Sequence, residues 1–265
     1  IIHNDAAHFS CGVNLECIAE FIENQDWPGL DGFLGHFQKT MQTMKYSNLP
    51  VVSAPVGLSI GGGFEVVLHT DMTIYHANSV TGLVESLVGV VPGGGGVKEL
   101  LYRWRDIKKN ETEASWATFM SVGYGKTAQS PLQAKELAMY REGTDQFIMN
   151  RDRLLDGAIN AAKELASNYK VSYRDDFVMP GQAVWQEMQD WLNKTQEKGY
   201  LTPHDVTTGT QIARIVTGGD VKAGTTMNEN DLFALERKAF LELAKSEQTK
   251  KRINHMLKYG KPLRN

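Results

Sequence analysis

Apolar residues recur at helical spacing in several separate stretches of the chain. In the segment 14–22 they fall on one face behind Asn14, an expected N-cap, so the spacing predicts a short helix. A stripe of Met and aromatic residues predicts a second helix over 33–44, after a turn at 26–32 that its Pro and Gly favour. Further amphipathic helices are predicted at 154–166, 183–192 and 231–244.

Shorter apolar runs, rich in β-branched residues, alternate with helical stretches over residues 1–105. Strand-like runs lie at 50–57, at 72–75 and directly after Glu85. This alternation predicts an α/β fold with a parallel sheet. From about residue 112 onward the pattern is almost wholly helical, so we expect an α/β core over 1–110 and a helical region over 111–265.

Charge and composition exclude several classes of function. The chain has 28 Lys and Arg residues against 31 Asp and Glu, which leaves no basic patch of the kind that nucleic-acid binding requires. No apolar run has the length of a membrane span. Cys11 and Cys17 match neither a zinc nor a redox motif and are predicted to be buried thiols in a reducing compartment. The seven His residues lack metal-ligand spacing, so no metal is expected.

Two glycine runs, Gly61–Gly63 and Gly93–Gly96, each separate a strand-like run from a helix. Such a run lets the backbone approach a ligand closely, and the helix N-terminus adds positive potential, so the site suits an anion. Neither run has the Lys of a P-loop or the register of a dinucleotide-binding turn. Two interpretations remain open, namely an oxyanion that forms during a reaction and simple tight packing of helix on strand.

A carboxylate accompanies each glycine run. Glu65 and Glu85 each lie within a few residues of one run and inside apolar sequence. Because burial raises the pKa of a carboxyl group towards the range useful for proton transfer, the two residues are predicted to be an acid and base pair. The alternative for each is a charge on a helix surface.

Three stretches resemble the crotonase superfamily, and most closely its enoyl-CoA hydratases: HFSCGVNL, SIGGGFEVVLHTD and LVESLVGVVPGGGGVKEL. The resemblance implies a crotonase-type spiral of strand-helix units, here truncated at the N-terminus, with a helical C-terminal extension. It also implies an acyl-CoA thioester as substrate, with no cofactor needed for its hydration.

The resemblance assigns roles to individual residues. The backbone N–H groups of Val13 and Gly62 are implied to form the oxyanion hole, and Glu65 and Glu85 to move the protons. Because both glutamates are present, the chain is more similar to hydratases than to isomerases or dehalogenases. Residues implied to line the coenzyme A site are Cys11, Gly12, Leu15 and Gly61. The chain departs from the family pattern at Val13, usually Ala, and at Asn14, usually Asp.

The distal part of the chain is similar to the C-terminal tail of the hydratase part in bacterial bifunctional fatty-oxidation proteins, at 212–220, 236–243 and 252–265. In those proteins a 3-hydroxyacyl-CoA dehydrogenase precedes the hydratase, which implies an NAD-dependent part outside this chain. A cytoplasmic location is expected, with a mitochondrial or peroxisomal one left open. Because the chain begins inside a strand, an unpaired edge near Ile1 and Ile2 predicts self-association into a homo-oligomer. Two alternatives to the hydratase remain: an isomerase or other crotonase reaction, and a non-catalytic structural or oligomerisation fragment.

Overall fold

The computed structural model describes residues 1–265. Eleven α-helices are present: α1 Leu15–Glu23, α2 Trp27–Lys45, α3 Gly62–Leu68, α4 Gly96–Lys108, α5 Glu111–Gly123, α6 Pro131–Glu136, α7 Leu154–Ala166, α8 Gln182–Glu197, α9 Pro203–Thr217, α10 Glu229–Ala244 and α11 Glu247–Tyr259. Eight short strands accompany them: β1 Val52–Ser53, β2 Leu58–Ile60, β3 Met72–His76, β4 Val80–Gly82, β5 Thr127–Ala128, β6 Gln146–Ile148, β7 Phe177–Val178 and β8 Thr226–Met227. Two 3₁₀ helices cover Glu85–Val88 and Arg151–Arg153. None of the helices combines the length and the apolar character that a membrane crossing requires.

The chain divides into two compact units, and each unit is assembled from three separate segments. Unit 1 contains Ile1–Val13, Lys39–Leu83 and Thr127–Arg174. Unit 2 contains Asn14–Gln38, Val84–Lys126 and Asp175–Asn265. Neither unit is one continuous stretch of the chain, so the two units do not correspond to the predicted regions. The boundary near residue 110, between an α/β core and a helical region, stays a prediction.

Unit 1 contains the sheets. One sheet has the order β1-β3-β6 with both pairs parallel, and the other has the order β2-β4-β5, in which β2 and β4 are parallel and β5 is antiparallel. Helix α7 packs against β1 and β3. The shared core includes Val52, Ile74, Leu154 and Ala158, all at most 1% exposed. The mixed α/β architecture with parallel pairing confirms the predicted fold class.

Unit 2 is mainly helical. Helix α5 packs against α4 and α9, and α8 packs against α9. Their buried faces meet in an apolar core that includes Leu100, Phe119, Leu192, Ile212 and Val216. The amphipathic helix predicted at 183–192 is confirmed as α8, which buries one apolar stripe of Val184, Met188 and Leu192.

The predicted turn at 26–32 is wrong, because α2 already begins at Trp27. The Asp26 side chain accepts a hydrogen bond from the Gly29 N–H at 2.9 Å, and its carbonyl accepts from the Leu30 N–H at 3.0 Å. Asp26 therefore caps the helix. Pro28 is tolerated beside it because N–H groups in a first helical turn have no partner within the helix.

Two further expectations differ from the structure. The strand-like run after Glu85 is instead the 3₁₀ helix Glu85–Val88, which ends at Gly89 in the left-handed conformation with φ 81°. Cys11 and Cys17 are both exposed rather than buried. The buried stripe of α1 carries Ile18 and Ile22, and Cys17 lies off that stripe. The N-cap at Asn14 is confirmed, since its side chain accepts from the Glu16 N–H at 2.9 Å.

Candidate active site

The first glycine run forms the N-terminus of α3. Gly61 precedes the helix with φ 55° and ψ −136°, a conformation that residues with a Cβ atom rarely adopt. Its N–H donates to the Gly82 carbonyl of β4 at 2.9 Å, which anchors the turn to the sheet. Gly62 is the first helical residue, so its N–H has no acceptor within the helix.

The segment that contains Val13 lies against this turn. The Ile60 N–H donates to the Ser10 carbonyl at 3.1 Å, and Ser10 forms a parallel bridge with β2. A Cβ atom added at Gly12 would lie 3.3 Å from the Ile60 carbonyl oxygen and 3.5 Å from the Gly62 nitrogen. Gly12 therefore brings its backbone directly against the start of α3, and Val13 follows it in the chain.

The third glycine of the run has a packing role. A Cβ atom at Gly63 would collide with the Ser10 side chain, so only glycine fits there. The interpretation of tight packing therefore applies to Gly63. That the Gly62 N–H receives an oxyanion stays a prediction.

Glu65 lies on the same short helix, three residues after Gly62. It is 2% exposed, and its neighbours Phe64 and Val67 are fully buried. The Glu65 carbonyl accepts a hydrogen bond from His69 Nδ1 at 2.7 Å. The expected burial of this carboxylate within apolar sequence is therefore observed, in the first turn of α3.

Glu85 belongs to unit 2, where it is half-buried and begins the 3₁₀ helix. Leu15, at the start of α1, belongs to unit 2 as well. The other predicted site residues gather in unit 1: Cys11, Gly12, Val13, Gly61, Gly62 and Glu65. That Glu85 and Leu15 act with this group on one substrate stays a prediction.

The second glycine run receives a carboxylate of the protein itself. Glu236 of α10 is fully buried and accepts hydrogen bonds from the Gly95 N–H at 2.9 Å and from the Lys98 N–H at 2.7 Å. The N-terminus of α4 thus has its anion already. Gly93 packs tightly as well, because a Cβ atom there would lie 2.7 Å from a methyl group of Leu34. The run stabilises the fold rather than exposing a ligand site.

A buried lysine of α4 forms ion pairs with two glutamates. Lys98 is fully buried, and its ammonium group contacts Glu99 Oε1 at 2.5 Å and Glu229 Oε2 at 2.6 Å. Sequence reasoning missed Glu236 and Lys98. One available signal was that Glu236, like Glu65, is a single carboxylate within an apolar helical stretch.

Sequence reasoning also missed a polar cluster in unit 2 around the 3₁₀ helix, formed by His204, Asp205, Thr249 and Arg252. Burial, with the nearby Arg252 guanidinium adding to its effect, lowers the pKa of His204 from 6.5 to about 4. Burial works to raise the pKa of Asp205, but hydrogen bonds from Thr202 and Arg252 outweigh it and lower the pKa below 3.8. The cluster therefore combines a neutral imidazole with a buried ion pair. No three His, Cys, Asp or Glu side chains come together as a possible metal site.

Comparison with known proteins finds a matching family model and similar solved structures. The family model described as enoyl-CoA hydratase/isomerase matches residues 1–176. A crystal structure of an enoyl-CoA hydratase from Rhodobacter sphaeroides aligns with 97% of this chain and 75% of its own, at a TM-score of 0.65 and 16% identity. At that identity the likeness shows the crotonase fold alone.

Two longer proteins are similar to the whole chain. One is the "Probable 3-hydroxyacyl-CoA dehydrogenase" of Bacillus subtilis, 34% identical over 266 residues, which cover 100% of this chain and 34% of that protein. The other is a Rickettsia felis protein whose name includes "fatty acid oxidation complex trifunctional enzyme", 25% identical over 97% of this chain and 33% of its own length. The chain therefore spans about a third of the length of each of these two relatives.

Proposed function

Because the chain belongs to the enoyl-CoA hydratase/isomerase family, we propose that it catalyses the syn hydration of trans-2-enoyl-CoA thioesters to 3-hydroxyacyl-CoA. One observation carries the proposal. The Gly12 backbone lies against the Gly62 N–H at the start of α3, and the buried Glu65 follows on the same helix. A backbone oxyanion site beside a buried carboxylate suits a reaction in which a thioester carbonyl gains negative charge while a proton moves.

In the proposed mechanism the N–H groups of Val13 and Gly62 donate to the thioester oxygen and stabilise the enolate-like charge. Glu65 takes a proton from the attacking water, whose oxygen bonds to the β-carbon. Glu85 delivers a proton to the α-carbon. One water is consumed, and the two carboxyl groups together return to their starting protonation state after exchange with solvent.

The length of the relatives supports a second proposal. The relatives that match the whole chain are about three times longer, and the names of two refer to a 3-hydroxyacyl-CoA dehydrogenase and to fatty acid oxidation. We propose that the complete protein couples the hydratase to an NAD-dependent dehydrogenase in the β-oxidation of fatty acids. The hydration product is the substrate that such a dehydrogenase requires.

Two substitutions in the complete protein, Glu65→Gln and Glu85→Gln, test the proposed hydratase activity. Each variant is expected to lower crotonyl-CoA hydration by about 100-fold or more with KM nearly unchanged, because general acid and base groups typically contribute 10²–10⁴-fold. Loss of the enoyl absorbance measures the rate, and chromatography identifies the product.

Glu187→Gln on the exposed side of α8 is the matched control and is expected to keep wild-type turnover. Near-normal hydration by both site variants would refute the assigned roles. A shifted double bond in place of a 3-hydroxyacyl product would identify an isomerase instead.

A further inference from the structure

Helix α11 holds the 3₁₀ helix that begins at Glu85. The Thr249 hydroxyl donates to the Gly89 carbonyl at 2.8 Å, and Arg252 Nη1 donates to the Ser86 carbonyl at 3.3 Å. The Ser86 carbonyl also accepts from the Gly89 N–H at 3.1 Å, so Arg252 adds a second hydrogen bond to it. Thr249 supplies a bond to the carbonyl of Gly89, the residue that ends the 3₁₀ helix. Thr249 and Arg252 lie three residues apart, on one face of α11.

Both side chains are fixed by partners of their own. Thr249 is fully buried, and its Oγ1 lies 2.9 Å from His204 Nε2. Since the single hydroxyl hydrogen of Thr249 goes to Gly89, the neutral imidazole must donate from Nε2. The His204 ring therefore determines which way the Thr249 hydroxyl points.

Three further residues accept hydrogen bonds from the Arg252 side chain. It is 2% exposed, and its Nη2 donates to Asp205 Oδ1 at 2.7 Å and to Thr202 Oγ1 at 3.1 Å, while Nε donates to Asn265 Oδ1 at 2.8 Å. A buried guanidinium with these partners has one orientation, because any other leaves a charge unpaired.

The backbone at Gly89 leaves no space between the turn and this cluster. A Cβ atom there would lie 2.8 Å from His204 Nε2 and 3.1 Å from Thr249 Oγ1, and Gly89 has a left-handed φ of 81°. The turn itself has only four residues, and so short a 3₁₀ helix has little stability of its own. Its orientation is therefore set by bonds to neighbouring helices. These are the bonds from Thr249 and Arg252 of α11 and one from the Ser86 hydroxyl to the Val122 carbonyl of α5 at 2.9 Å.

We propose that Thr249 and Arg252 are positioning residues that hold the Glu85 carboxylate where the reaction needs it. The inference rests on the proposed function, in which Glu85 delivers the proton to the α-carbon. Neither residue is assigned a contact with the substrate. A misplacement of about 1 Å in a catalytic group can cost about 100-fold in rate, so two hydrogen bonds to the turn are sufficient to matter.

The test compares Thr249→Val with Thr249→Ser in the complete protein. Valine keeps the shape of threonine but removes the donor to Gly89, whereas serine keeps the donor. We expect Thr249→Val to lower kcat for crotonyl-CoA hydration by about 10- to 100-fold with KM within about twofold. Thr249→Ser is expected to stay within about threefold of wild type, and circular dichroism checks that both variants are folded.

A double-mutant cycle separates positioning from general damage. If Thr249 acts through the Glu85 carboxylate, Thr249→Val should have little further effect on the residual activity of Glu85→Gln. An equal loss in both backgrounds, or unchanged kcat in the single variant, would overturn the inference while leaving the hydratase intact. A wild-type protein without hydratase activity would overturn the proposed function, and this inference with it.

Discussion

At the scale of single residues, His204 makes the stability of unit 2 depend on pH. Its pKa is about 4 in the folded chain against an ordinary 6.5, because it is buried and faces the Arg252 guanidinium. Above pH 6.5 the imidazole is neutral in both the folded and the unfolded state. Between pH 6.5 and 4 the unfolded chain binds a proton that the folded chain does not, so the free energy of unfolding falls as the pH falls.

The loss should approach about 3 kcal/mol by pH 4. His204→Gln, which cannot take up this proton, is expected to show a flatter pH dependence over that window, as measured by urea unfolding at pH 7.5 and 4.5. The neighbouring Asp205 has a pKa below 3.8, so its own contribution is lost only at lower pH. His36→Gln at an exposed position is the control, and an equally flat profile for that variant would contradict the role of His204.

At the scale of elements, the buried Glu236 links α10 to the N-terminus of α4. Replacement by Ala leaves the Gly95 and Lys98 N–H groups without their acceptor in a buried site. We expect Glu236→Ala to lower the free energy of unfolding by about 3 kcal/mol, since an unsatisfied buried donor costs about 1–3 kcal/mol and a broken buried charge network more. Equilibrium urea unfolding measures this, with the exposed Glu242→Ala of the same helix expected to change stability far less. Equal stability of the two variants would show that α4 needs no carboxylate.

The elements that could be predicted from sequence are those whose pattern is local. Helices α7 and α10 each carry a long apolar stripe, and Asn14 caps α1 through a bond to a residue two positions away. The start of α2 escaped prediction because Pro is common both in turns and in first helical turns. The 3₁₀ helix at Glu85 escaped prediction because its stabilising bonds come from distant residues of α5 and α11.

The same distinction applies to the candidate site. The Gly61–Gly63 run and Glu65 are neighbours in sequence, so their pattern predicts a buried carboxylate beside a helix N-terminus, and the structure has both. The acceptor for the second run lies 141 residues from Gly95, where no local spacing points to it. Glycines before a helix indicate a site for an anion, but they do not show whether that anion is a bound ligand or a carboxylate from a distant part of the chain.

At the scale of the whole molecule, the proposed coupling of two activities can be tested through the same glutamate. The complete protein, given crotonyl-CoA and NAD⁺, is expected to form NADH, because hydration supplies the alcohol that a dehydrogenase oxidises. Glu85→Gln should abolish most NADH formation from crotonyl-CoA and leave that from 3-hydroxybutyryl-CoA unchanged. Spectrophotometry at the NADH band measures both rates. No NADH from 3-hydroxybutyryl-CoA, even with the wild-type protein, would refute the dehydrogenase part.

The two side chains of α11 that bond to the 3₁₀ helix are synthesised long after it. Thr249 follows Gly89 by 160 residues, and Arg252 follows Ser86 by 166. A ribosome adds about 5–20 residues per second. Roughly 8 to 30 seconds therefore pass between the synthesis of the turn that carries Glu85 and the synthesis of the two side chains that bond to it. A nascent chain can therefore build the sheets of unit 1 well before the turn at Glu85 is fixed. Ribosome-bound intermediates that end before α11 should contain a folded α3, while the turn at Glu85 still lacks the hydrogen bonds from Thr249 and Arg252.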